Sequence, residues 1–178
     1  ARLHPIKGLV RLLQLLPSVQ GHINLVIAGP EEDADYVASC RNLAYRLPNR
    51  IQVIWAGPLV PEAVYGAFCS THLYVLPTES ENHCYTIQEA LNAGCPVLTS
   101  DATPWGGITT AGVVWTISNQ NACEWIAVLQ DFVDMDHKAY LKLLKKVNNY
   151  MSAKGADCSA QLATLSMVEQ VIGRADIP

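Results

Sequence analysis

Short apolar runs, each closed by a chain breaker and each followed by a stretch of helical spacing, constrain this chain more than any other feature. Ile23-Asn24-Leu25-Val26-Ile27-Ala28 stops at Gly29-Pro30, and Ile51-Gln52-Val53-Ile54-Trp55-Ala56 stops at Gly57-Pro58. Leu73-Tyr74-Val75-Leu76 stops at Pro77, and Pro96-Val97-Leu98-Thr99-Ser100 follows the helix stop Ala93-Gly94. Runs this short and this apolar read as strands buried on both faces. Helical patterns fill the intervals. Residues 9–16 end near Pro17, an acidic first turn at 31–35 opens a second helix that runs to Leu47-Pro48, and Pro61 opens a third over 62–69. A last strand is expected over 111–117, then helices over 121–133, 139–150 and 159–172. Alternating β and α units require a parallel sheet with helices on its faces, so the expected class is α/β and Rossmann-like.

The chain has 178 residues, half of them apolar, which suffices for one sizeable core, so residues 1–178 are read as a single domain. A formal charge of −4 and a pI near 5.7 remove the electrostatic footprint of a nucleic-acid binder. Cysteines at 40, 69, 84, 95, 123 and 158 form no C-x-x-C pair, which fits free thiols in a reducing cytoplasm. No apolar run reaches the ~18 residues of a membrane span, and Ala1-Arg2-Leu3-His4-Pro5 is not a signal peptide. A cytoplasmic domain is expected, with peripheral attachment to the inner face of a membrane left open for a longer protein.

Chemistry concentrates where the strand at 73–76 enters Pro77-Thr78-Glu79-Ser80-Glu81-Asn82-His83-Cys84-Tyr85-Thr86 and then a helix. Ligands of open parallel sheets bind at strand C-terminal ends, and a helix start there offers unpaired N–H groups to phosphate or hydroxyl oxygens. Glu81 and Glu89 would face one pocket from the loop and from the second helical turn. The plainer account makes Glu81 a charge at a helix N-terminus and Glu89 a solvated helix residue. Arg2 and Lys7 are basic residues in the opening loop, by themselves ordinary surface charge. Asp134-Met135-Asp136 spells a D-x-D metal motif, yet it sits between two helical patterns and Asp136 reads as an N-cap. Asp101-Ala102-Thr103-Pro104-Trp105 lies on the ligand side after a strand, either as a rigid turn or in direct contact.

Taken together, Glu-Asn followed seven residues later by Glu-Ala-Leu-x-Ala-Gly-x-Pro-Val, from Glu81 to Val97, resembles the nucleotide-sugar site of retaining glycosyltransferases with the GT-B fold, family four. Arg2-Leu3-x-x-x-Lys7-Gly8 resembles their diphosphate-binding element, and Asp101-x-Thr103-Pro104-Trp105 a turn of many bacterial members. The likeness runs from Arg2 to about Trp115. It implies the C-terminal, donor-binding half of a GT-B fold with its first strand missing and an acceptor-binding N-terminal domain absent from this chain.

By the same resemblance, Glu89 would take the ribose hydroxyls, Glu81 hydroxyls of the donor hexose, and the N–H groups of His83, Cys84, Tyr85 and Thr86 phosphate and sugar oxygens. Glu81, Arg2 and Lys7 would be the catalytic residues, the two cations offsetting leaving-group charge, with no metal and no cofactor besides the nucleotide sugar donor. The acceptor would be a glycan or lipid-linked sugar in surface polysaccharide synthesis, and the isolated domain would transfer nothing. The pattern departs at His83-Cys84, where the family carries phenylalanine-glycine, and a cysteine beside a helix N-terminus could have a lowered pKa. A GT-B-like sugar-nucleotide epimerase and a non-catalytic binding module remain as alternatives.

Overall fold

The structure is a computed structural model that describes residues 1–105 and 112–153. A single 3-10 turn, Pro5–Lys7, leads into α1 (Leu9–Leu15), and a second, Leu16–Ser18, holds Pro17 where its lost N–H costs nothing. Then come β1 (Ile23–Ala28), α2 (Ala34–Tyr45), β2 (Ile51–Gly57), α3 (Pro61–Cys69) and β3 (Tyr74–Leu76). They are followed by α4 (Tyr85–Asn92), β4 (Val97–Ser100), β5 (Val114–Ile117), α5 (Ala122–Asp134) and α6 (His137–Ala153). Every strand and helix expected within the described residues is present. The helix expected over 159–172 lies outside them, as does Ala111.

Local chemistry sets the boundaries. Asp33 caps α2 by accepting from the Tyr36 N–H at 2.9 Å, and Asn121 caps α5 through Glu124 N–H at 3.2 Å. Asp136 Oδ1 accepts from Ala139 N–H at 2.7 Å, so the D-x-D spelling is the junction of two helices. Its first aspartate is the last residue of α5 and accepts from Gln130 at 3.0 Å. Gly94, at φ +77°, ends α4 after the Ala93 C-cap.

All strand pairs are parallel, in two sets: β1 beside β2, and β3-β4-β5 in that order. Among the described residues no strand joins β1 to β3. The opening segment reaches that interval with Leu3, which bridges Glu31 and donates its N–H to the Pro30 carbonyl at 2.8 Å. The two sheets nevertheless share a core. On one side, Leu12, Leu16, Val19, Trp125 and Leu129 pack with Ile51 of β2, Leu98 of β4 and Ile117 of β5. Trp125 is fully buried and its indole N–H donates to Ser118 O at 3.2 Å, so the largest core side chain leaves no polar group unsatisfied. On the other side, Ile87, Ala90 and Leu91 of α4 meet Val147 and Met151 of α6 over Leu76, Val97 and Val114. That second layer fixes α4, and hence the loop before it, against the end of β3.

Candidate functional site

The end of β3 is tied to the start of the chain by backbone groups. Thr78 is fully buried, its hydroxyl donates to Ile6 O at 2.9 Å, and Glu79 N–H donates to the same carbonyl at 2.8 Å. The Thr78 carbonyl in turn accepts from Ser100 Oγ at 2.5 Å and Asn119 Nδ2 at 2.9 Å, joining the ends of β3, β4 and β5. Gly8 makes the approach possible. At φ +71°, a Cβ on it would stand 2.0 Å from Pro77 O, so both conformation and space require glycine. This ridge of Ile6–Gly8 against Pro77–Glu79 brings the basic segment beside the acidic loop.

A cavity of about 510 Å³ opens on one side of the ridge. Arg2, Lys7 and Glu81 line it, together with His83, Cys84, Tyr85 and Thr86 at the start of α4. Seven of the eight residues expected at the site are therefore in one place. Glu89 does not line the cavity: it is exposed on the second turn of α4.

Inside the cavity, the Lys7 ammonium forms an ion pair with the Glu81 carboxylate, both side chains largely shielded from water. Arg2 is exposed at the rim and is held by Glu32, its guanidinium 2.8 and 3.0 Å from the two carboxylate oxygens. Glu31 similarly holds Arg41, which stacks over Trp55 at 4.4 Å, so the acids before α2 serve the scaffold and one of them positions Arg2.

The loop enters α4 in an unusual way. Cys84 is the N-cap in the left-handed region, at φ 52° and ψ 64°, and its side chain makes no capping hydrogen bond. Among the described residues it is the only non-glycine residue with positive φ. That conformation suits glycine and costs a cysteine about 1 kcal/mol or more. The open first turn leaves backbone N–H groups available to a ligand.

The helix start does not activate the thiol as the sequence allowed. Cys84 is buried, and desolvation pushes its pKa up, with the Thr86 hydroxyl at 3.5 Å only partly opposing this. Burial outweighs the helix terminus.

Sequence reasoning missed the residues that hold the loop. Tyr74 OH donates to Thr86 Oγ1 at 3.0 Å, and Trp105 Nε1 donates to His83 O at 3.2 Å. Glu81 N–H donates to Ala102 O at 3.2 Å. Thus the turn after β4 braces the loop after β3 from outside the cavity, and Trp105 packs against the α4 core rather than lining the pocket. The signal for Thr78 and Ser100 was visible: hydroxyl residues at the end of fully apolar strands need internal partners.

Comparison with known proteins gives the family and the fold. A model of the family described as glycosyl transferases group 1 matches residues 1–151. A GDP-mannose-dependent alpha-mannosyltransferase of Mycolicibacterium smegmatis is 35% identical over 101 residues, covering 57% of this chain and 24% of that protein. Anabaena HepE, solved in complex with UDP and glucose, superposes with a TM-score of 0.71 at 17% identity, over 98% of this chain and 47% of that one. Sucrose-phosphate synthase of Thermosynechococcus elongatus gives 0.67 at 19% identity, over 99% and 45%. These structural likenesses show the fold, and the chain spans under half the length of the solved structures and about a quarter of the mannosyltransferase. With the family model covering most of its length and the GT-B architecture recovered by superposition, the chain belongs to the glycosyl transferases group 1 family.

Proposed function

We propose that this chain is the donor-binding half of a retaining hexosyltransferase, holding a nucleoside diphosphate sugar across the ends of β3 and β4. The observation that carries the reading is the cavity in which Lys7, Glu81 and the open N-terminus of α4 converge. The diphosphate would lie against the first-turn N–H groups, with Arg2 and Lys7 supplying the positive charge that stabilises the departing nucleotide. These cations perform the task within the protein, so the reading gives no step to a metal. Glu81 would leave Lys7 to the phosphates and accept hydroxyls of the hexose, while Glu89 takes the ribose from outside the cavity wall.

Transfer requires an acceptor, and the reading assigns its main binding to a second domain. A glycan or lipid-linked sugar acceptor in surface polysaccharide synthesis, met in the cytoplasm or at the inner face of a membrane, fits the family. Among the described residues no helix is long and apolar enough to cross a membrane. The mannosyltransferase relative is named for GDP-mannose, and HepE was solved with UDP and UDP-glucose. These donors define the first test. Calorimetric titration of UDP, GDP, UDP-glucose and GDP-mannose should give saturable binding with at least one nucleotide, weakened by Glu89→Ala. No saturable heat with any of the four would leave a non-catalytic module. Isomerisation of the sugar without an acceptor would instead make the chain an epimerase.

A further inference from the structure

Helix α6 carries four lysines, at 138, 142, 145 and 146, and no acidic residue, in a chain whose net charge is −4. Spacings of four and three put Lys138, Lys142 and Lys145 in one row along the helix, with Lys146 beside it. All four are exposed. The opposite face is spent inside the protein, where Leu144, Val147 and Met151 are buried and the last two pack with Ile87, Ala90 and Leu91 of α4. No residue of α6 lines the cavity assigned to the donor, so the row lies outside that site.

Among the described residues nothing balances these charges. Arg2, Lys7 and Arg41 each form an ion pair with a glutamate, and none of the four lysines does. Asp136, the acid next to α6 in sequence, is taken up as its N-cap by the Ala139 N–H. The helix dipole does not account for the row either, because the last turn holds no basic residue and Lys138 stands in the first, where a cation is disfavoured. Like charges three and four positions apart repel, so the row weakens the helix that bears it. An external anionic partner would remove that repulsion.

The makeup of the face selects among anionic partners. Interface cores between proteins are depleted of lysine and built on aromatic or aliphatic anchors, and α6 exposes no large apolar side chain. A single phosphate is gripped best by the planar fork of arginine, which the row lacks. Lysines are hydrated point charges on flexible stems, and four of them within about 12 Å of helix reach the number at which such clusters hold anionic bilayers. From this we infer that the lysine row of α6 is a docking face for the anionic headgroups of a lipid bilayer. The chain adsorbs there without inserting, since the apolar face of α6 is committed to α4. Contact of this kind is reversible and salt-sensitive. It needs no nucleotide sugar, and so stands or falls apart from the donor reading.

Sedimentation with lipid vesicles tests the docking face on the whole chain. Vesicles of phosphatidylcholine and phosphatidylglycerol in equal parts should carry the chain down at about 20 mM salt and release it at about 500 mM, where exposed charges are screened. Vesicles of phosphatidylcholine alone should leave it in solution. Lys142→Gln should weaken partition about fivefold, and Lys138→Gln, Lys142→Gln and Lys145→Gln combined about a hundredfold. Arginine at the same three positions should preserve it, and Arg46→Gln, which removes an exposed charge at the end of α2, should change nothing. Circular dichroism checks folding, and should the triple glutamine variant unfold, Lys142→Gln and the arginine variant decide. The inference is overturned if the chain ignores the mixed vesicles, follows phosphatidylcholine equally, stays bound in high salt, or partitions unchanged in the folded glutamine variants. Loss in the arginine variant, or an equal loss in Arg46→Gln, would also overturn it. Retention on polyglutamate without vesicle binding would give the face to an acidic protein and remove the lipid assignment.

Discussion

Lys7 and Glu81, 74 positions apart in the chain, neutralise one another inside the cavity before α4. On the proposed reading, an incoming diphosphate competes with a carboxylate for the same ammonium. Lys7→Ala should weaken UDP or GDP at least about tenfold, the loss of a charge-assisted hydrogen bond. Glu81→Gln should do the opposite for the bare nucleotide, which meets a freed cation, while removing the extra affinity of the sugar-bearing donor. Calorimetry on both variants with the nucleotide and its sugar checks this. A Glu81→Gln protein that loses bare nucleotide and donor alike would show that the pair is only a scaffold.

Gly8 offers a sharper structural test. A Cβ there meets the Pro77 carbonyl at 2.0 Å in a left-handed backbone. Gly8→Ala should cost about 2–4 kcal/mol, combining a backbone penalty with overpacking against main chain that cannot yield. Urea unfolding measures it. Because the same contact holds Lys7 beside the acidic loop, nucleotide affinity should fall in the variant even at low temperature, where it remains folded.

The two predictions also mark what could be read in advance. Strand and helix order was legible because the first three apolar runs stop at Gly-Pro or Pro and the helix before the fourth stops at Ala-Gly, and Lys7, Glu81 and Glu89 drew notice because Lys7-Gly8 and Glu81 to Glu89 resemble family spellings. The role of Trp105 was not legible, since its indole reaches a carbonyl 22 positions away. Glu32 looked like dipole complement and proved to hold Arg2, because a run of acids does not say which one turns toward a distant guanidinium.

Cys84 tests backbone strain without confusing it with loss of the thiol. Cys84→Ala and Cys84→Gly both remove the sulfur and its contact with Thr86, and they differ in what the left-handed backbone costs. The glycine variant should be more stable than the alanine variant by about 1 kcal/mol, reversing the usual order of the two residues in a helix. Denaturant midpoints at equal slope decide it.

Burial pushes the Cys95 thiol from an ordinary 9.0 up to about 12. Between those values the unfolded chain sheds a proton that the native one keeps, so stability falls as pH rises from about 9 toward 12. The slope is about 1.4 kcal/mol per unit for this group. Cys95→Ala should flatten the alkaline limb of the stability curve relative to the parent chain. In the folded state at pH 8, a thiol reagent should reach exposed Cys123 rapidly and Cys95 only on unfolding.

Val26 and Ile54 stand opposite one another in register on β1 and β2, with 54% and 49% of their surfaces in water. Paired β-branched side chains on a bare sheet face are adhesive toward any similar surface. The polypeptide handled on its own should thus tend to clump as concentration rises, and threonine at both places should relieve this while keeping the pleat. Any surface that covered that face would therefore double as its solubilising cover.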